Sequence, residues 1–126
     1  MAINVVWDDD LQTILRWDFE QDWTWEDFHA AFDQSVKIAG SKKERVDVIP
    51  YLAQSKLVPP NTLMQFNRVS RLSPPNTNLI VITGGTTLVN AMISMFRSVY
   101  RVNTWRTAAT LEDARAIITQ DRARSG

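Results

Sequence analysis

The sequence predicts an α/β fold: one domain with a mixed, mostly parallel sheet of about five strands, an N-terminal antiparallel hairpin and about four helices. Three observations carry that prediction. Residues 79–82 read Leu-Ile-Val-Ile with no polar alternate, so the strand they form is covered on both faces, as strands of parallel sheets are. Such a strand is expected at the centre of its sheet. Gly84-Gly85 follow at once and turn the chain into an amphipathic helix from Thr87 to about Val102, which makes half of a βαβ unit. The first twenty residues instead alternate with a period of two, the pattern of a hairpin.

Composition sets the bounds. With 126 residues, 44% of them apolar and 22% charged, the chain is long enough for one core-forming domain, expected over residues 1–121 with a frayed tail at 122–126. The absence of cysteine removes disulfides, a thiolate nucleophile and cysteine metal sites, and it suits a reducing, cytoplasmic setting. No run approaches the ~18 apolar residues of a membrane span, and the first residues enter a strand pattern without a basic leader, so no membrane partner is expected. The net charge is zero, yet the acids cluster early. Through Asp33 there are nine acids against Arg16 alone, leaving the remainder of the chain basic. Without a basic stripe interleaved with aromatics, a nucleic-acid partner is not expected.

In the hairpin, Ile3, Val5 and Trp7 share one face, as do Thr13, Leu15, Trp17 and Phe19, and one face is expected to be buried. Asp8-Asp9-Asp10 lies between them. A calcium loop would need a glycine at its sharp turn and a later bidentate glutamate, both missing at the required spacing, so the triplet reads as turn chemistry. Thr24 and Asp27 form a capping pair ahead of Trp25, Phe28, Phe32, Val36 and Ala39, which places a helix up to Gly40. His29, the only histidine, falls with Glu26 and Asp33 on the opposite face, where an ion-paired surface is expected and not a metal site.

Val46, Val48, Ile49, Tyr51 and Leu52 make the next strand, in which Pro50 signals an end or an irregularity because it cannot donate to a ladder. After an aperiodic stretch ending in Pro59-Pro60-Asn61-Thr62, Asn61 caps a helix carrying Leu63, Phe66 and Val69. Pro-Pro-Asn-Thr recurs at 74–77 as turn punctuation. The helix after Gly85 carries an apolar arc of Leu88, Val89, Met92, Ile93, Met95, Phe96, Val99 and Tyr100, wider than one sheet contact requires; a deeply buried helix is the first expectation, and Met95, Val99 and Tyr100 are the interface candidates of the alternative. A short strand at Trp105 and Thr107 precedes a last helix, capped at Thr110, with Leu111, Ala114, Ile117 and Ile118 on one side.

In its element order, in Leu79 to Tyr100 with Ser94-Met95-Phe96-Arg97, and in the closing Thr110-Leu111-Glu112-Asp113-Ala114-Arg115-Ala116, the chain resembles the STAS-like family. That is the fold of anti-sigma-factor antagonists and of small proteins said to share STAS and lipid-transfer-like traits. The resemblance implies a non-catalytic regulatory or interaction module, often a homodimer, with a phosphorylatable serine in an Asp-Ser-Ser-Gly turn before the second helix. Laid on this chain, that turn falls on Pro59, Pro60, Asn61 and Thr62, which lack the acid, the serine and the glycine. Thr62 and, further upstream, Ser55 are the nearest hydroxyls, so control by phosphorylation at that turn is not expected.

The alternative is a binding domain for a small anionic or apolar ligand at the C-terminal ends of the strands, with Gly84, Gly85, Thr86 and Thr87 as an anion cradle at a helix start. An enzyme is the weakest reading. His29 has no partners for a hydrolytic triad, Gly84-Gly85-Thr86-Thr87 matches neither a dinucleotide fingerprint nor a P-loop, and Glu26 and Asp27 point about 100° apart on a helix. No cofactor and no metal is expected.

Overall fold

The computed structural model describes residues 2–55 and 62–125. Among these residues nine elements follow in the order β1 (Ile3–Trp7), β2 (Ile14–Phe19), α1 (Trp25–Gly40), β3 (Val46–Tyr51), α2 (Thr62–Leu72), β4 (Thr77–Thr83), α3 (Thr87–Tyr100), β5 (Trp105–Ala108) and α4 (Leu111–Ser125). They build a single α/β domain around one five-stranded sheet in the order β1-β2-β3-β4-β5, antiparallel between β1 and β2 and parallel elsewhere. The expected architecture is the observed one.

The run Leu79 to Ile82 is buried on both faces because it divides two cores. Ile80 and Ile82 join the large core under α1, α2 and α3, whereas Leu79 and Val81 meet Ala114 and Ile118 of α4 across the sheet. β4 is thus interior, but the middle strand is β3, since the hairpin places β1 outside β2 and shifts the centre by one position. The hairpin also departs from the one-buried-face expectation: Ile14 of β2 is buried against the α4 side while Leu15, Trp17 and Phe19 are buried on the other.

Local chemistry accounts for the element ends. Thr24 and Asp27 form the capping box of α1, the Thr24 hydroxyl accepting from the Asp27 N–H and the Asp27 carboxylate accepting from the Thr24 N–H. Thr86 caps α3 through the Val89 N–H, and Thr110 caps α4 through the Asp113 N–H. The β1–β2 turn is held by Asp9, whose carboxylate accepts from the backbone N–H of Thr13 and Ile14, with Gln12 at φ 58°. Pro50 lies inside β3, opposite Trp17 of β2, and the irregularity sits further back, between Val46 and Val48, where the register against β4 shifts. There the Leu79 N–H turns to the Asp47 carboxylate at 2.8 Å.

α4 continues to Ser125 because Arg122 is tied to the sheet, its guanidinium donating to Asp47 at 2.9 Å and to the hydroxyl and carbonyl oxygens of Thr13 at 3.0 Å each. No helix among the described residues is long and apolar enough to cross a membrane.

Candidate functional site

On the sheet face covered by α1, α2 and α3, the helices do not close ranks. α1 leans outward over β1, α2 packs on α3, and the space between them is a cavity. Its floor is Leu15, Trp17 and Phe19 of β2, Val48 and Pro50 of β3, and Ile80 and Ile82 of β4; Phe28, Phe32, Ser35 and Val36 of α1 and Phe66 and Val69 of α2 form its walls. Counted as space for the centres of water-sized spheres, it measures ≈ 50 Å³. At ~10–15 Å³ per water on that measure, it has room for a small organic molecule of a few carbons.

Aromatic packing fixes the two walls separately. Trp17 meets Phe28 edge-on at 5.3 Å, and Trp25 meets both Phe28 and Trp23 at 5.1 Å, which ties α1 to the hairpin. On the other side Phe66 packs against Trp105 at 5.1 Å and Phe96 against Trp105 at 4.7 Å, which ties α2 and α3 to β5. No ring contact among the described residues joins the two clusters. Trp23, Trp25 and Leu52 line one end of the cavity at the C-terminal edge of the sheet, and the Trp23 indole N–H donates to the Ser55 hydroxyl at 2.7 Å. Ser73, Pro74 and Thr77 line the other end.

A hydrogen bond between two lining side chains lies within this apolar surface. The Trp17 indole N–H donates to the Ser35 hydroxyl oxygen at 2.6 Å, and Ser35 is only 6% exposed. Ser35 occupies a core-facing position of α1 among Phe28, Phe32 and Ala39, so a hydroxyl where the apolar spacing calls for a hydrocarbon was the available sequence signal.

The opposite sheet face carries the charges. Asp8, with its side chain 2% exposed, accepts from Arg16 at 2.9 Å and from Arg115 of α4 at 2.8 Å. The hydrogen bond from Arg115 holds the Asp8 carboxyl below its ordinary range against the opposing pull of burial, and Arg16 adds to the effect. Burial pushes Asp9 up, but the bonds from Thr13 and Ile14 outweigh it and leave that carboxyl lowered too. Asp47 is fully buried between Arg45 and Arg122. Asp8 and Asp9 are therefore engaged by the fold itself, and among the described residues no group of three or more His, Cys, Asp or Glu is placed to hold a metal.

The other sequence-predicted positions disperse. Gly84, Gly85, Thr86 and Thr87 form the turn into α3 at the C-terminal edge of the sheet, with Gly84 at φ +72°. Two N–H groups around that turn are already committed, that of Gly84 to the Ala108 carbonyl and that of Val89 to the Thr86 hydroxyl. Pro59, Pro60 and Asn61 lie outside the described residues; Thr62 opens α2, buried, and lines the cavity. His29 is half-buried with its ring edge-on to Phe28. On α3 the inward positions are Val89, Ile93 and Phe96, so Met95, Val99 and Tyr100 face outward at 53%, 65% and 44% exposure, together with Leu88. Compared with protein-family models, with curated proteins and with solved structures, the chain has no match.

Proposed function

We propose that this chain is a non-catalytic binding domain of STAS-like type whose ligand is a small apolar molecule held between α1 and α2. The observation that carries this reading is the apolar cavity itself: it lies between two separately braced walls and reaches the C-terminal edge of the sheet at Trp23, Trp25 and Leu52. Thr62 is buried there, which goes with a domain that is not switched by phosphorylation at the turn before α2. The cysteine-free sequence suits a cytoplasmic setting.

The test is direct. Six-carbon ligands such as n-hexane, added to saturation, are expected to shift the indole N–H resonances of Trp17 and Trp23 and to raise the thermal midpoint, because a ligand that binds only the folded state stabilises it. Unmoved indole resonances and an unchanged midpoint across such compounds would remove the reading.

A second reading, an interaction module that pairs with a protein or with itself, is favoured by a different feature. Leu88, Met92, Met95 and Val99 follow a four-three-four spacing along α3, the seam that a second helix packs against. Three of the four are exposed. Cavity and seam are on different surfaces, so the two readings are compatible.

A further inference from the structure

We infer that the cavity between α1 and α2 selects ligands bearing a hydrogen-bond acceptor oxygen, such as a small ketone, and that the Ser35 hydroxyl is the group that reads it. This rests on the cavity being a ligand site. A serine hydroxyl offers one proton and two lone pairs. At Ser35 the Trp17 indole N–H, 2.6 Å away, takes a lone pair, while the hydroxyl proton meets no acceptor among the described residues.

Ser73, at the end of the same cavity, shows the contrast. Its hydroxyl donates to the Val69 carbonyl at 2.8 Å and so has no proton to offer. Ser35 lies in the wall of α1 among Phe32, Val36 and Ala39, where an unspent donor is costly and an acceptor brought in by a ligand relieves that cost. The indole N–H also polarises the hydroxyl it donates to, which makes the serine proton a better donor. A charged carboxylate is disfavoured because no cation among the described residues lines the cavity to accompany it. A neutral carbonyl on a short hydrocarbon satisfies both the apolar walls and the Ser35 donor.

The experiment compares hexan-2-one with n-hexane on the wild type, on Ser35→Ala and on Ser35→Thr, reading binding from the Trp17 indole N–H resonance. Removing the hydroxyl is expected to weaken hexan-2-one about tenfold and to leave n-hexane unchanged, with Ser35→Thr restoring the ketone. In the wild type, bound hexan-2-one is also expected to show a carbonyl stretch lowered by hydrogen bonding. If both compounds bind and Ser35→Ala changes neither affinity nor the carbonyl band, the inference is wrong while the cavity remains a ligand site. If Ser35→Ala is too unstable to study, an unshifted carbonyl band in the wild type overturns it equally. If neither compound binds the wild type, the ligand-site reading fails, and the inference with it.

Discussion

Thr83 of β4 does for Pro50 of β3 what Pro50 cannot do for itself. Leu52 donates its N–H to the Thr83 carbonyl, and the parallel register places Val81 O opposite the missing N–H of Pro50 two residues earlier. The Thr83 hydroxyl donates to that same Val81 oxygen at 3.0 Å. Thr83 and Val81 are both fully buried, so without the hydroxyl the carbonyl would lose this donor in a site closed to water.

Thr83→Val, which keeps the shape and deletes the hydroxyl, is therefore expected to cost about 1–3 kcal/mol. In a Pro50→Ala background the backbone donor returns and the same substitution should cost measurably less. Urea denaturation of the four proteins of this cycle supplies the coupling energy; equal costs in both backgrounds would show that Thr83 acts independently of Pro50.

Asp47 anchors α4 to the sheet. Its carboxylate takes the Leu79 N–H at the register shift and the guanidinium groups of Arg45 and Arg122. Asp47→Ala leaves those groups without their common acceptor and should destabilise the fold by about 3–5 kcal/mol. Arg122→Ala, which removes one side chain that is 32% exposed, should cost less. Chemical denaturation with helical circular dichroism as the probe orders the two variants, and the reverse order would contradict an anchoring role for the carboxylate.

Acid should loosen the same face through Asp8. Because the hydrogen bond from Arg115 lowers the folded-state value of this carboxyl, its contribution is fully present above the ordinary carboxylate value of about 3.9 and is lost as pH falls through the depressed one. The expected result is a stability that declines below about pH 4, with a shallower decline in Arg115→Ala. Denaturant midpoints measured from pH 5 to pH 2 test it; parallel slopes in the two proteins would exclude the Asp8–Arg115 pair as a cause.

Self-association through α3 predicts a mass above the 14.4 kDa of one chain. Val99 is 65% exposed, so Val99→Glu should leave the folded monomer intact while placing a charge in the seam. Light scattering at micromolar concentration should show a wild-type dimer and a monomeric variant. A monomeric wild type would sink this reading, and a dimer unaffected by Val99→Glu would move the contact elsewhere, such as the hairpin edge.

The sequence by itself determined the elements and their order, because the signals are local. The period-two hairpin, the Thr24/Asp27 capping box, the unbroken apolar run at 79–82 and the end of α1 at Gly40 each depend on residues a few positions apart. Along α3 the apolar arc favoured a deeply buried helix, and it was packing that left Met95, Val99 and Tyr100 exposed, since one sheet contact buries only an arc of a helix. Tertiary structure alone decided the rest. That Asp47 meets Arg122 across 75 positions, and that Trp17 donates to Ser35 across 18, follows from the path of the chain and leaves no periodic trace. The cavity was invisible for a related reason: it exists because α1 leans toward β1 while α2 packs on α3, and a gap between helices is set by how whole elements pack, not by the spacing within either one.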